Sequence, residues 1–204
     1  MLPTREEVIS KLEAILTDRK NNNLPIDAIT FAGNGEPTMH PKFVEIVEDT
    51  LSLRKKLFPQ ARISVLSNAT LIHKPRIAHV LQKVDDNILK LDSAFEETIR
   101  QINCPLGKFD LAQIIENLKA FQGNLTIQTM FIKGEYDGKK VDNTTDKEIQ
   151  AWLDVLREIQ PNRLMVYTIA RDTAAQEIEA VDKTKLEEIA KKAEDLGIEV
   201  QVSA

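Results

Sequence analysis

The chain has 204 residues, 42% of them apolar, and its 27 basic and 32 acidic side chains leave a formal net charge of −5. That length suits one domain of roughly 150 residues with an extension, and the mixed charge offers no electrostatic footprint for nucleic acid. No run approaches the ~18 apolar residues of a membrane helix, "MLPTREEV" lacks the apolar stretch of a signal peptide, and the single cysteine, Cys104, excludes an internal disulfide and suits a reducing cytoplasm.

From Thr4 to about Lys20, Val8, Leu12, Ile15 and Leu16 recur at helical spacing. Thr4 and Glu7 form a capping box, in which the hydroxyl accepts an orphan N–H and the carboxylate reaches back to the cap. "NNNLP" ends that helix and "IDAITF" is a strand, followed by the glycine-rich turn "GNGEP". Pro41 to about Leu57 is a second helix, with Pro41 in its first turn, where a missing N–H costs nothing. "RISVLS" is the next strand, then a helix around Pro75 to Lys83, then the strand "NILKLD". Helices near Phe95–Ile102 and Leu111–Phe121 precede a fourth strand, "LTIQTMFI". "KGEYDGKKVDNTT", with Gly134 and Gly138, reads as a long polar loop, poorly ordered in isolation. A capping box at Thr145 and Glu148 opens the next helix, "RLMVYTI" is a fifth strand, and "ARDTAAQEIEAV" is a second loop. Thr184 and Glu187 cap the last helix, which closes at Gly197 before the sixth strand, "IEVQV". There is no internal repeat, low-complexity segment or linker, so residues 1–204 read as a single domain.

Strands and helices alternate, and each connection is long enough for a parallel crossover. Ile/Val/Leu-rich strands of this kind build a parallel sheet, open or curled into a barrel. The chain begins with a helix, so the strand that would normally lead such a series is missing.

Ligands of parallel α/β folds sit at the carboxyl ends of the strands. Here those ends carry Gly33, Asn34, Gly35 and Glu36, then Ser67 and Asn68, Lys90 and Asp92, Gln128, Thr129 and Met130, and finally Tyr167, Thr168 and Arg171. Strand alternation puts Ile88, Lys90 and Asp92 on one face and Leu89 and Leu91 on the other. An ionisable pair on an apolar strand must be paired or wet: either a Lys–Asp pair, internal or at a rim meeting solvent, or the lining of a polar pocket. The two glycines allow a tight βα turn and equally a close backbone approach to a ligand. No Lys-Ser or Lys-Thr follows them, so the turn is not a P-loop, and the third glycine of a dinucleotide fingerprint is absent. His40, His73 and His79 show no metal-ligand spacing and read as surface or capping residues. Cys104 in "INCP" reads as a partly buried thiol, and Trp152 as helix core.

"TFAGNGEPTMHP", "VLSNATLI", "LKLDS…INCP" and "IQTMFIKG", in that order and spacing, resemble the core of the radical S-adenosylmethionine (radical SAM) enzymes across most of the chain. The resemblance implies a partial, open parallel β/α barrel, TIM-barrel-like, with its first strand missing. It implies that "GNGEP" matches the turn whose carbonyls and acid hold the amino group of S-adenosylmethionine, and that "SNAT" matches the family's "TNGT". It makes Gly33, Asn34, Gly35, Glu36, Asn68, Lys90, Asp92 and Gln128 cofactor-binding residues that converge at one end of the sheet. The implied activity is an iron–sulfur oxidoreductase: a [4Fe–4S] cluster reduces S-adenosylmethionine, and the 5′-deoxyadenosyl radical abstracts a substrate hydrogen. Flavodoxin or ferredoxin would be the electron donor. Glycyl-radical-enzyme activation and peptide or RNA modification all use this core, so the substrate is open among protein, peptide, RNA and small molecule.

One departure is large. The family holds its cluster with C-x3-C-x2-C after the first strand, and this sequence has only Cys104, elsewhere. The expectation is a fragment of a longer enzyme, with the cluster held in the parent protein by a segment not present here and this chain alone inactive. The alternatives are a non-catalytic, cluster-less α/β module that binds a nucleotide-like ligand or a protein partner, and a cluster-independent barrel lyase using Lys90.

Overall fold

The structure is a computed structural model, and it describes residues 2–203 except 34, 106, 137 and 170–176. Asn34 and Arg171 therefore lie outside the described residues. The elements in chain order begin with α1 (Arg5–Asn21), β1 (Ala28–Phe31), a 3₁₀ turn (Pro37–Met39), α2 (Phe43–Leu57), β2 (Arg62–Ser67), α3 (Pro75–Leu81) and β3 (Asp86–Lys90). They continue with α4 (Glu96–Asn103), α5 (Leu111–Lys119), β4 (Thr126–Met130), β5 (Ile132–Tyr136), β6 (Lys139–Asp142), α6 (Asp146–Ile159), β7 (Arg163–Tyr167), β8 (Ile178–Ala180), α7 (Lys183–Glu194) and β9 (Glu199–Ser203). A six-stranded parallel sheet takes them in the order β1-β2-β3-β4-β7-β9, and a three-stranded sheet in the order β6-β5-β8. The chain forms two compact units, Met1–Ile88 and Leu89–Ala204, whose boundary falls inside β3.

In the first unit β1 runs parallel to β2, from Ala28 opposite Arg62 to Phe31 opposite Val65. Ile63 and Val65 are fully buried, and α2 buries Phe43, Ile46, Val47 and Thr50. The buried Thr50 hydroxyl is satisfied by the Ile46 carbonyl at 2.8 Å. Helix α1 starts with the expected box: Glu7 N–H donates to Thr4 Oγ1 at 3.2 Å, and Thr4 N–H to Glu7 Oε2 at 2.7 Å. Only Leu16 of α1 is buried, and the helix is tied to α2 by a two-pronged Arg5–Asp49 pair at 2.6 and 2.8 Å. Among the described residues no strand precedes α1.

In the second unit β4 runs parallel to β7, and β7 to β9. Ile127, Leu164 and Val166 are fully buried, as are the facing Leu156 of α6 and Leu186 of α7. Trp152 is core, as its spacing predicts: its ring meets Phe131 edge-on at 5.3 Å, and its Nε1–H donates to Thr129 Oγ1 at 3.2 Å.

Several local expectations change, among them the second loop, whose Ile178–Ala180 is the strand β8. The segment read as a polar loop is an antiparallel pair, β5 with β6, and β8 adds a third strand on the other side of β5. Charged residues hide its alternation; only Val141 of β6 is buried. Gly134, at φ +137°, lets β8 come close, since a Cβ there would sit 2.1 Å from the Glu177 carbonyl. Helix α2 starts at Phe43, after Pro41, because Pro37 takes the first position of the 3₁₀ turn and the chain must turn again at His40. The last helix is capped by Asp182, whose carboxylate accepts from Lys185 N–H at 2.9 Å, so Thr184 already lies inside it. Finally, Cys104 is exposed.

Candidate functional site

In the first unit, the turn after β1 is organised by Glu36. Its Oε1 accepts from Thr38 N–H at 3.0 Å, Thr38 Oγ1–H at 2.5 Å and Ser67 Oγ–H at 2.8 Å, and its Oε2 accepts from Asn68 N–H at 2.6 Å. Three of the four donors share Oε1, so Oε2 keeps an acceptor direction open. Glu36 thus clamps the end of the β1 turn onto the end of β2, and the clamp uses the acid that the resemblance assigns to an ammonium. Gly33 and Gly35 are exposed, and a Cβ at either would meet nothing within 4 Å. Gly33 also lies outside the left-handed region. The two glycines therefore leave open space beside the backbone at positions 33 and 35.

The segment after β2 is equally ordered. Asn68 Oδ1 accepts from Thr70 N–H at 3.0 Å and from its hydroxyl at 2.7 Å, an Asx turn. Between them Ala69 is fully buried at φ +63°, a conformation that costs a non-glycine residue about 1–2 kcal/mol. Two of the three histidines hold backbone: a His40 ring nitrogen lies 2.8 Å from the Pro3 carbonyl, and His73 Nδ1 3.0 Å from that of Thr70, while His79 is exposed on α3.

In the second unit, Lys90 and Asp92 meet on one face, with Lys90 Nζ 3.1 Å from Asp92 Oδ2. The structural Lys–Asp pair is present: Asp92 is 1% exposed and accepts from three donors. Its Oδ1 takes Met130 N–H at 2.8 Å; its Oδ2 takes Asn103 Nδ2–H at 2.7 Å besides the ammonium. Lys90 also donates to Asn103 Oδ1 at 2.7 Å, and its side chain keeps 24% exposure, so one end of the pair is open to solvent. Leu89 and Leu91, on the other face, are buried. Burial pushes the Tyr167 phenol up to about 12, and the negative Asp92 adds to the shift. Gln128 is half-buried on β4, two residues before Met130, with its carbonyl accepting from Leu91 N–H at 3.0 Å.

Three supporting residues escaped the sequence reading. Asn103, at the end of α4, is linked to Lys90 and Asp92 only through the fold. Asn143 is 1% exposed; its Oδ1 accepts from Ile132 N–H at 2.9 Å, and its Nδ2 donates to the carbonyls of Asp92 and Met130, both at 2.8 Å. Glu148 does not close a capping box. Its N–H is capped by Thr145, but its carboxylate accepts from the hydroxyls of Ser93 and Thr98, both at 2.6 Å. The sequence signal was the acid in a cap position, which also fits a local role.

These residues fit an iron–sulfur cluster poorly. Such a cluster is held by several thiolates, and the one thiol, Cys104, is exposed on the left-handed cap of α4. Among the described residues no group of three or more His, Cys, Asp or Glu side chains is placed to hold a metal. No described helix is long and apolar enough to cross a membrane.

A family model described as the Radical SAM superfamily matches residues 3–147. A UPF0026 protein of Helicobacter pylori is 28% identical over 178 residues, covering 83% of this chain and 54% of the relative. A UPF0026 protein of Synechocystis is 32% identical over 144 residues, covering 68% of this chain and 50% of the relative. The chain thus spans about half the length of these curated relatives. Among solved structures, a radical SAM methyltransferase from Sphaerobacter thermophilus superposes with a TM-score of 0.70 at 14% identity, over 98% of this chain and 57% of the other. At that identity the likeness speaks for the fold, a partial barrel with an open parallel sheet.

Proposed function

Since this chain belongs to the radical SAM superfamily, a superfamily of enzymes, we propose that it is the S-adenosylmethionine-binding part of an enzyme that generates a 5′-deoxyadenosyl radical for hydrogen abstraction. One observation supports the reading: Gly33 and Gly35 are exposed with open space where a side chain would stand, in a segment that Glu36 ties to the end of β2. In this reading backbone carbonyls of the turn receive the cofactor's ammonium, and the Glu36 hydrogen bonds limit the reorganisation this needs. In this reading Gly33 and Gly35 present those carbonyls, Glu36 and Asn68 fix the turn, and Lys90, Asp92 and Gln128 are the polar side chains at strand ends of the second unit.

Radical generation needs a [4Fe–4S] cluster, and this chain's residues do not fit one. In this reading thiolates outside these 204 residues hold it, an electron donor of flavodoxin or ferredoxin type reduces it, and the chain alone is inactive. The substrate, a protein, peptide, RNA or small molecule, belongs to the whole enzyme.

The test is calorimetric titration of the purified chain with S-adenosylmethionine. We expect weak binding, and weaker binding by Gly35→Val, whose branched side chain would cover the turn. Unfolding curves of both proteins separate lost affinity from lost stability. An unchanged affinity in the variant would return the turn to a purely structural role. The lone exposed thiol also favours a second reading, a cluster-less module binding a nucleotide-like ligand. Adenosine competing as well as S-adenosylmethionine, with no contribution from the methionine part, would favour it.

A further inference from the structure

The second unit contains a cleft that none of the residues discussed so far accounts for. Its volume is about 210 Å³, and its walls are Ile102 at the end of α4, Met130 at the end of β4, and Ile132, Tyr136, Val141 and Ile178 of the three-stranded sheet. All three strands of that small sheet face into it. A dry apolar cavity of about 150 Å³ already accepts benzene, so this one has room for an aromatic ring or a branched aliphatic group. The cleft opens into a wider, charged vestibule of about 450 Å³ lined by Glu96, Glu97, Arg100 and Lys139; Gln101, Cys104 and Tyr136 belong to both.

The vestibule's charges are not equivalent. Arg100 and Glu96 are spent on each other at 2.8 Å, with Glu96 also accepting from Leu111 N–H and Arg100 also donating to the Phe109 carbonyl. Glu97 and Lys139 make no ion pair among the described residues. A pocket with apolar walls, a few polar groups at its mouth and two unspent charges of opposite sign is built for an amphipathic ligand. We propose that this cleft is a binding site for amino-acid-like chemistry: an aromatic or branched aliphatic side chain enters the apolar part, while an ammonium and a carboxylate, or the matching peptide dipole, meet Glu97 and Lys139. The inference rests on the second unit alone and stands whether or not the chain binds S-adenosylmethionine.

Cys104 at the rim is the only cysteine of the chain and reports on occupancy. The experiment measures its alkylation rate by iodoacetamide in the folded chain with L-phenylalanine, L-leucine, L-alanine or octanoate as probe. Probe concentrations about ten times Kd should slow alkylation about tenfold, by simple occupancy. L-phenylalanine or L-leucine is expected to protect, and L-alanine not. Ile102→Trp, which fills the cleft, should abolish the difference between its alkylation rates with and without L-phenylalanine or L-leucine. If that variant does not fold, Tyr136→Ser, at an exposed position, should weaken protection several-fold. Equal rates with L-phenylalanine and L-alanine would overturn the site, as would protection that survives the variants. Octanoate protecting at lower concentration than L-phenylalanine would overturn the ligand class.

Discussion

Asn103 Nδ2 donates to Asp92 Oδ2 at 2.7 Å, so the last residue of α4 fixes the orientation of a carboxylate on the strand end. The same amide's oxygen accepts the Lys90 ammonium. The three side chains are mutually bonded, and Asp92 also accepts from Met130 N–H. Asp92→Leu leaves Lys90 without its counter-charge and Met130 N–H without its acceptor, and should cost about 3–5 kcal/mol. Asn103→Ala should cost about 1–2 kcal/mol. In urea unfolding the double variant should cost less than the sum, because both changes remove parts of one network. Strict additivity would mean that the set does not act as a unit.

Tyr167 predicts an alkaline limit on stability. Its folded value near 12 lies above the ordinary phenol value of 10.0, with burial the main cause and Asp92 the second. Below about pH 10 both the folded and the unfolded chain keep the proton, and the contribution is complete. Between about 10 and 12 the unfolded chain releases it first, so stability falls as pH rises. The loss should be about 2 kcal/mol at most, after allowing for solvent at the partly exposed ring. Tyr167→Phe should flatten that part of the curve, and tyrosinate absorbance in a Tyr136→Phe background should show the late titration directly.

Gly134→Ala should disconnect β8 from β5. The added methyl group would lie 2.1 Å from the Glu177 carbonyl, at a φ of +137° that alanine avoids. We expect a cost of about 1–3 kcal/mol confined to the small sheet. Amide hydrogen exchange should accelerate in β5, β6 and β8 and stay unchanged in β4 and β7. Uniform acceleration would show that the small sheet is not a separate cooperative piece.

Anaerobic reconstitution of the 204-residue chain with iron and sulfide should leave no stoichiometric [4Fe–4S] cluster. The sequence supplies one thiol, and that thiol is exposed on a helix cap. Iron and sulfide analysis with visible absorbance decides the matter, and a full cluster per chain would contradict it.

The parallel architecture was legible because its strands are short apolar runs and its helices carry their caps in the sequence. Thr4, Thr145 and the spacing around Trp152 all act as their local pattern says. What escaped depends on distance along the chain or on competing local solutions. Pro37 and Pro41 both suit a first helical position, and only the packed turn shows that Pro37 takes it. Glu148 has the form of a cap residue, yet its carboxylate partners lie 55 and 50 residues earlier. The small sheet was hidden because Lys, Glu and two glycines mask its period. Ala69 gives no sign in the sequence of a left-handed backbone, because alanine is the ordinary choice for the opposite hand. The pairing of Lys90 with Asp92 followed from alternation alone, but the third member, Asn103, could come only from the structure.

The strand order leaves β1 at one edge of the main sheet, and that strand is Ala28-Ile29-Thr30-Phe31, without a charge or a proline. Natural edges are usually guarded by lysines, prolines or bulges, since a bare row of N–H and C=O groups templates further strands. The opposite edge, β9, carries Glu199 and Gln201 among its outward residues and is better defended. Concentrated solutions of this chain should therefore self-associate through β1, and a lysine at Thr30, an exposed position, is the smallest change that would raise its solubility limit.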